Sequence, residues 1–219
     1  MDSKFAAASA AVKMVKDGMV VGLGTGSTAS IFIQLLAKQN LNVRCIPTSC
    51  ASEKQARSLG LRVIGFEQAD RIDLAVDGAD QVDPKGNLIK GMGGALVREK
   101  AVDYRAKKFV VIVGSEKLQK RLSGIVPVEV VPFAQEAVKK DLLGLGAKEV
   151  QVRADGEQKF VSDNGNLILH AKFGQICNPA KLEDKIKLIA GVVDCGIFAK
   201  KKPVVVVGHK SGAWEVIKC

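Results

Sequence analysis

Met19-Val-Val-Gly-Leu-Gly-Thr-Gly-Ser-Thr28, with the helically spaced run Ala29 to Lys38 behind it, decides the fold. A short apolar run from Met19 to Leu23 reads as a buried strand, and the glycines at 22, 24 and 26 let the chain turn tightly into the helix. The same rhythm recurs on both sides. Lys4 to Val15 has helical spacing and is stopped by Asp17-Gly18. Val43 to Ile46 is a strand, Thr48-Ser49 opens a helix over Ala51 to Leu59 closed at Gly60, and Leu61 to Ile64 and Leu74 to Val76 are further strands. Ala95 to Lys108 reads as a helix leading into the β-branched strand Phe109 to Val113. Alternating strands and helices predict an α/β fold: a Rossmann-like, mostly parallel sheet flanked by helices, with ligands at the C-terminal strand ends.

At Pro127 the pattern changes. Val128 to Val131, helix Phe133 to Leu143, strand Glu149 to Arg153, a hairpin through Asp163-Asn-Gly-Asn166, strand Leu167 to His170, helix Pro179 to Ile189 and strand Val192 to Phe198 spell β-α-β-β-α-β. That order predicts an inserted smaller ferredoxin-like α+β domain over 127–200. The catalytic α/β domain is then 1–126 plus 201–219, completed by the strand Pro203 to Val207 and an edge hairpin with Trp214-Glu-Val.

Composition narrows the function classes. With 47% hydrophobic residues in 219, the chain can bury a real core. No apolar run reaches the roughly 18 to 20 residues of a membrane span, and the start of the chain lacks a signal-peptide pattern, so a cytoplasmic protein with no membrane association is expected. Five cysteines without a CxxC pair and only two histidines, His170 and His209, point to neither a disulfide framework nor a metal site. The net charge of +10 attracts anions. Its bases are scattered and not interleaved with aromatics, so the expected partner is a phosphorylated metabolite and no nucleic acid.

Three stretches could carry chemistry. In the opening loop, Thr25, Gly26, Ser27 and Thr28 have the makings of a phosphate cradle, with Ser27 or Thr28 able to cap the helix and hydroxyls able to donate to phosphate oxygens. Serine at 27 departs from the dinucleotide fingerprint, no acid follows the second strand, and the P-loop pattern is absent. A small sugar phosphate fits this loop better than NAD or ATP, and a structural tight turn is the bland alternative. In the second stretch, the strand Leu74 to Val76 ends in Asp77-Gly78-Ala79-Asp80, which also reads as turn chemistry. In the third, Lys90 precedes Gly91, Met92, Gly93 and Gly94, whose amides offer an oxyanion site, and Glu99 follows on the next helix about one turn past Ala95, able to point back toward the glycines. Lys117, just past the strand Phe109 to Val113, could clamp a phosphate or a hydroxyl or simply be solvated.

Gly22 to Thr28, Asp77-Gly-Ala-Asp80 and Lys90-Gly-Met-Gly-Gly-Ala-Leu-Val-Arg-Glu-Lys100 together resemble ribose-5-phosphate isomerase of the A type, and Gly114-Ser-Glu-Lys117, Val-Glu-Val-Val-Pro at 128–132 and Ser162-Asp-Asn-Gly-Asn166 stand in the same order and spacing. The resemblance covers the whole chain. It implies cofactor-free, metal-free interconversion of ribose 5-phosphate and ribulose 5-phosphate in the pentose phosphate pathway by a homodimer or dimer of dimers. It also implies Glu99 as the catalytic base and Thr25 to Thr28, Asp77 to Asp80, Lys90 to Gly93 and Lys117 as substrate-binding segments. Gln81, Met92 and His170 depart from the residues common at their positions, and Met92 restricts a backbone that glycine would leave open.

The chemistry of such a reaction fits these residues. Moving a proton from one carbon to its neighbour through an enediolate needs a base, an oxyanion site and a second proton carrier. With both histidines far from the motifs, the base is expected to be Glu99, the oxyanion donors Lys90 and the amides of Gly91 to Gly94, and the hydroxyl-binding acids Asp77 and Asp80, with Asp77 able to shuttle the ring-opening proton. A sugar-phosphate sensor and a related isomerase, deaminase or transferase of the same fold are the rival readings.

Overall fold

The structure is a computed structural model that describes residues 2–218. In chain order its regular elements are α1 (Ser3–Val12), β1 (Val20–Leu23), α2 (Ser27–Ala37), β2 (Arg44–Pro47), α3 (Cys50–Ser58), β3 (Arg62–Val63), β4 (Ile72–Asp77), β5 (Gln81–Val82), β6 (Leu88–Ile89), α4 (Leu96–Asp103), β7 (Ala106–Gly114), β8 (Gly124–Val130), α5 (Gln135–Gly144), β9 (Glu149–Val152), β10 (Ala154–Asp155), β11 (Gln158–Lys159), β12 (Leu167–Phe173), α6 (Pro179–Lys187), β13 (Val192–Cys195), β14 (Ile197–Phe198), β15 (Val204–Gly208) and β16 (Trp214–Lys218). Among the described residues no helix is long and apolar enough to cross a membrane.

The chain forms two compact units, Met1–Ala79 with Arg98–Leu118 and Lys201–Cys219, and Asp80–Val97 with Gln119–Lys200. The first is built on a sheet ordered β16-β15-β7-β4-β1-β2-β3, parallel throughout except for the antiparallel edge strand β16. Its core is aliphatic, from Ala7 and Ala11 of α1 through Phe32, Ile33 and Leu36 of α2 to Val76, Val110, Ile112 and Val206 of the sheet. Strand order reverses direction between β1 and β4, the switch point at which open sheets bind ligands. Ser49 starts α3 with a capping box shared with Ser52.

One expected helix is shorter than its spacing implied. α4 ends at Asp103, and 106–108 are already strand. Tyr104 and Arg105 close the last turn by donating to the carbonyls of Lys100 and Val102, and Ala106 then pairs with Ile72. Sheet pairing of the β-branched run outweighs the helix propensity of the two lysines.

The second unit holds a four-stranded antiparallel sheet ordered β13-β8-β12-β9, with α5 and α6 supplying the β-α-β-β-α-β order. Besides 127–200 this unit includes 80–97 and 119–126. The expected strand Val192 to Phe198 is two strands. It breaks at Gly196, and Ile197–Phe198 leave the four-stranded sheet to pair with Leu88–Ile89. Only glycine fits at 196, because a Cβ would stand 2.2 Å from the Lys90 carbonyl oxygen and 2.6 Å from the Pro127 ring.

Candidate active site

In the first unit the opening loop and Asp77 are brought together at the switch point. The Gly24 amide donates to the Val76 carbonyl, and Asp77 Oδ1 accepts from the amides of Thr25 (3.0 Å) and Gly78 (2.7 Å). Gly24 makes this possible: a Cβ there would meet the Asp77 carboxylate at 2.1 Å and its Cα at 2.6 Å. The Thr25 hydroxyl donates to Ser49 Oγ (2.8 Å) and lies 2.8 Å from Thr48 Oγ1. Asp77 is fully buried, while Gly26 and Ser27 are exposed.

The cap of α2 differs from expectation. Gly26, at φ +110°, is the N-cap, so Ser27 and Thr28 fall in the first turn and no side chain caps the helix. The first-turn amides are therefore left for an anion, with the Ser27 and Thr28 hydroxyls beside them. Lys4, which the sequence did not single out, donates from Nζ to Ser27 Oγ at 2.9 Å. It sits in an alanine-rich helix with no motif around it, and only the packing of α1 brings it to the loop. Lys117 lies half-buried on the single turn Ser115–Lys117 after β7.

Glu99 is 3% exposed on α4. Val102, one turn later on the same face, packs into the space left by Gly22, where a Cβ would stand 2.4 Å from Val102 Cγ1. The face shared by Glu99 and Val102 is thus turned to the sheet. Because α4 returns the chain to the start of β7, Glu99 lies about 4.5 Å from Val102 along the helix, toward the strand ends that carry Gly24 and Asp77.

In the second unit the Lys90–Gly94 loop is shaped by packing. Gly91 and Gly94 adopt φ +91° and +90°. A Cβ at Gly91 would meet Leu96 at 2.5 Å, and one at Gly94 would meet the Phe160 ring at 2.4 Å and Arg153 Nη1 at 2.7 Å. Phe160 itself lies under the Arg153 guanidinium, 3.7 Å from ring centroid to Cζ. The Gly94 amide closes a turn onto the Gly91 carbonyl (2.9 Å), and the Met92 amide makes a long 3.4 Å contact with Asp80 Oδ2. Of the four amides expected to serve an oxyanion, two are therefore already engaged. Lys90 is 1% exposed, its amide donating to the Gly196 carbonyl.

Two further motifs serve the fold. The buried Glu129 carboxylate accepts from Ser162 Oγ (2.9 Å), Asn164 Nδ2 (3.0 Å) and Asn166 Nδ2 (2.9 Å), which pins the 162–166 turn to β8. His170 lies mid-strand in β12, not at a strand end. Burial pushes its imidazole below the ordinary value, and the Arg153 charge acts in the same direction. Burial pushes the Cys45 thiol up to about 12, and Cys219 lies outside the described residues. Among the described residues no group of three His, Cys, Asp or Glu side chains is placed to hold a metal ion.

Residues 44–212 match the family described as ribose 5-phosphate isomerase A (phosphoriboisomerase A). The chain belongs to this family. A ribose-5-phosphate isomerase A from Thermococcus kodakarensis is 42% identical, with 96% of each chain covered. Among solved structures, ribose 5-phosphate isomerase A from Methanocaldococcus jannaschii superimposes with a TM-score of 0.93 at 40% identity, covering 99% of this chain and 98% of that one. A D-ribose-5-phosphate isomerase in complex with phospho-erythronic acid superimposes with a TM-score of 0.95 at 37% identity over the whole of both chains. The isomerase A family therefore spans both units, including the Lys4 helix that precedes the matched segment.

Proposed function

We propose that the chain interconverts D-ribose 5-phosphate and D-ribulose 5-phosphate through an enediolate without metal or cofactor, with Glu99 as the base. The reaction is that of the family to which the chain belongs. The observation that carries the assignment of the base is a carboxylate buried on the sheet-facing side of α4, one turn from Val102. On this reading the Thr25–Thr28 loop, Lys4 and Lys117 take the phosphate. Asp77, held by two amides, binds a sugar hydroxyl and carries the ring-opening proton, and Asp80 binds a second hydroxyl. Gly78 and Ala79 supply backbone to the bound sugar, and Met92 shapes the loop with its amide toward Asp80. Lys90 and the amides of Gly91 and Gly93 hold the developing oxyanion, each donor worth roughly 10²- to 10³-fold in rate. A carboxylate base must hold the proton it takes from one carbon long enough to return it to the next, and exclusion of water from Glu99 favours that.

The test is Glu99→Gln, assayed in EDTA without added cofactor. It is expected to retain sugar-phosphate binding, read as a rise in melting temperature with phospho-erythronic acid, and to lose kcat by about 10³-fold or more, the scale of a general base together with lost charge. Turnover equal to the parent removes Glu99 from the mechanism. A parent that binds sugar phosphate but does not turn over favours a sensor instead. The reading also includes a cytoplasmic enzyme assembled as a homodimer or dimer of dimers, which sedimentation velocity would resolve.

A further inference from the structure

We infer that Phe198 is a positioning residue for Lys90, acting through the face of its ring. The inference rests on the reading of Lys90 as an oxyanion-holding lysine. β6 and β14 pair antiparallel with Ile89 opposite Ile197 and Leu88 opposite Phe198. Continuing that register puts Lys90 opposite Gly196, and the Lys90 amide donates to the Gly196 carbonyl at 2.9 Å. Lys90 and Phe198 are therefore diagonal neighbours on one face of the ribbon, within reach of a long side chain. The Lys90 ammonium uses that reach, lying 4.6 Å from the Phe198 ring centroid. Both side chains are buried, at 1% and 0% exposure.

A buried ammonium needs compensation, and what compensates it decides what it can still do. A carboxylate would take its protons as well as its charge. An aromatic face attracts the cation through the ring quadrupole and leaves the N–H groups on the far side for oxygen acceptors. Phe198 thus holds Nζ at a set place while keeping it a donor. The same three-residue segment fixes Lys90 twice, its backbone through Gly196 and its ammonium through Phe198. Gly196 cannot carry a Cβ without meeting the Lys90 carbonyl, so the segment has little freedom to drift away from the lysine.

The experiment replaces Phe198 with mono-, di- and trifluorophenylalanine, which weaken the ring quadrupole stepwise at nearly constant shape, in the parent and in Lys90→Met. In the parent, kcat should fall with each fluorine, reaching roughly 3- to 30-fold with three, while KM stays within about twofold and the melting temperature holds. In Lys90→Met, turnover should already be low and the series flat. Phe198→Leu should match or exceed the trifluoro variant. A flat series in the parent, with Lys90→Met inactive, overturns the role of Phe198 and leaves that of Lys90 standing. Equal declines in both backgrounds reduce Phe198 to packing and overturn the inference as well. Full turnover in Lys90→Met overturns the reading of Lys90 itself.

Discussion

The opening loop at Gly24–Thr28 and the Lys90–Gly94 loop are both glycine-rich, yet they are held in different ways. The first is braced by hydrogen bonds: its amides reach Val76 and Asp77, its threonine reaches Ser49, and its exposed end ties to Lys4. The second is braced by side chains pressed against glycine Cα atoms, Leu96 on Gly91 and Phe160 with Arg153 on Gly94. A loop built from polar bonds offers whichever donors remain, and suits a ligand whose charge is already present, such as a phosphate. A loop wedged by packing keeps its shape before any charge arrives, and suits a charge that exists only in the transition state.

Adding one methyl to each loop tests this contrast most severely. Gly24→Ala puts a Cβ against the Asp77 carboxylate and Cα, so the strand itself must shift. A cost of about 2–3 kcal/mol, or roughly 4–12 °C in Tm for a chain of this size, is expected together with a KM increase of tenfold or more. Gly94→Ala meets a ring and a guanidinium that can give way, but its φ of +90° is strained for alanine. It should lose less stability and should act mainly on kcat. Phe160→Leu should restore part of that loss by making room, whereas no such change rescues Gly24→Ala. If both variants lower kcat and KM alike, the two loops do not divide the work.

That difference also governs how far the sequence could be read. The strand, loop and helix at 19–38 and the acids after β4 are local patterns, and their partners lie at neighbouring strand ends that the α/β rhythm already implies. Glu99 was legible for the same reason, as a carboxylate one turn into a helix behind a glycine run. The break at Gly196, the Phe198 ring and the Phe160–Arg153 stack were not, because each depends on strand pairings between segments far apart in the chain. The cap of α2 was misplaced by one residue, since Ser27 is a good capping residue and only the φ of Gly26 shows where the helix begins.

Intermediate effects belong to the cations of the phosphate cradle. Lys4→Met and Lys117→Met should each raise KM by about tenfold, the low end of a charge-assisted hydrogen bond because both side chains are partly solvated, with kcat within about twofold. Added salt should weaken the parent more than either variant, since screening removes what the variants already lack. Lys4 is the sharper test, because only the structure links it to Ser27. If Lys4→Met leaves KM and its salt dependence unchanged, its bond to Ser27 serves the helix pair and not the ligand.

The smallest effect is expected at His170, on the β12 face away from the small sheet's core, opposite Gln151 and Pro127 in the flanking strands. Its folded-state pKa lies below the ordinary value of about 6.5, so above that pH neither the folded nor the unfolded chain binds the proton and His170 has no influence on stability. As pH falls through about 6.5 the unfolded chain takes up a proton that the folded chain refuses, and stability declines until the lower, folded-state pKa is passed. His170→Asn removes this term, so the parent should lose more Tm than the variant between pH 7 and pH 5, while at pH 8 the two curves should run parallel. Turnover at neutral pH should be unchanged, because the Gly94 loop is shaped by Phe160 and Arg153 and not by the imidazole. If the variant loses Tm just as steeply on acidification, the imidazole of the folded chain binds its proton as readily as the unfolded chain does. Arg153 would then exert no charge on it, and the guanidinium stack would act on Gly94 by shape alone.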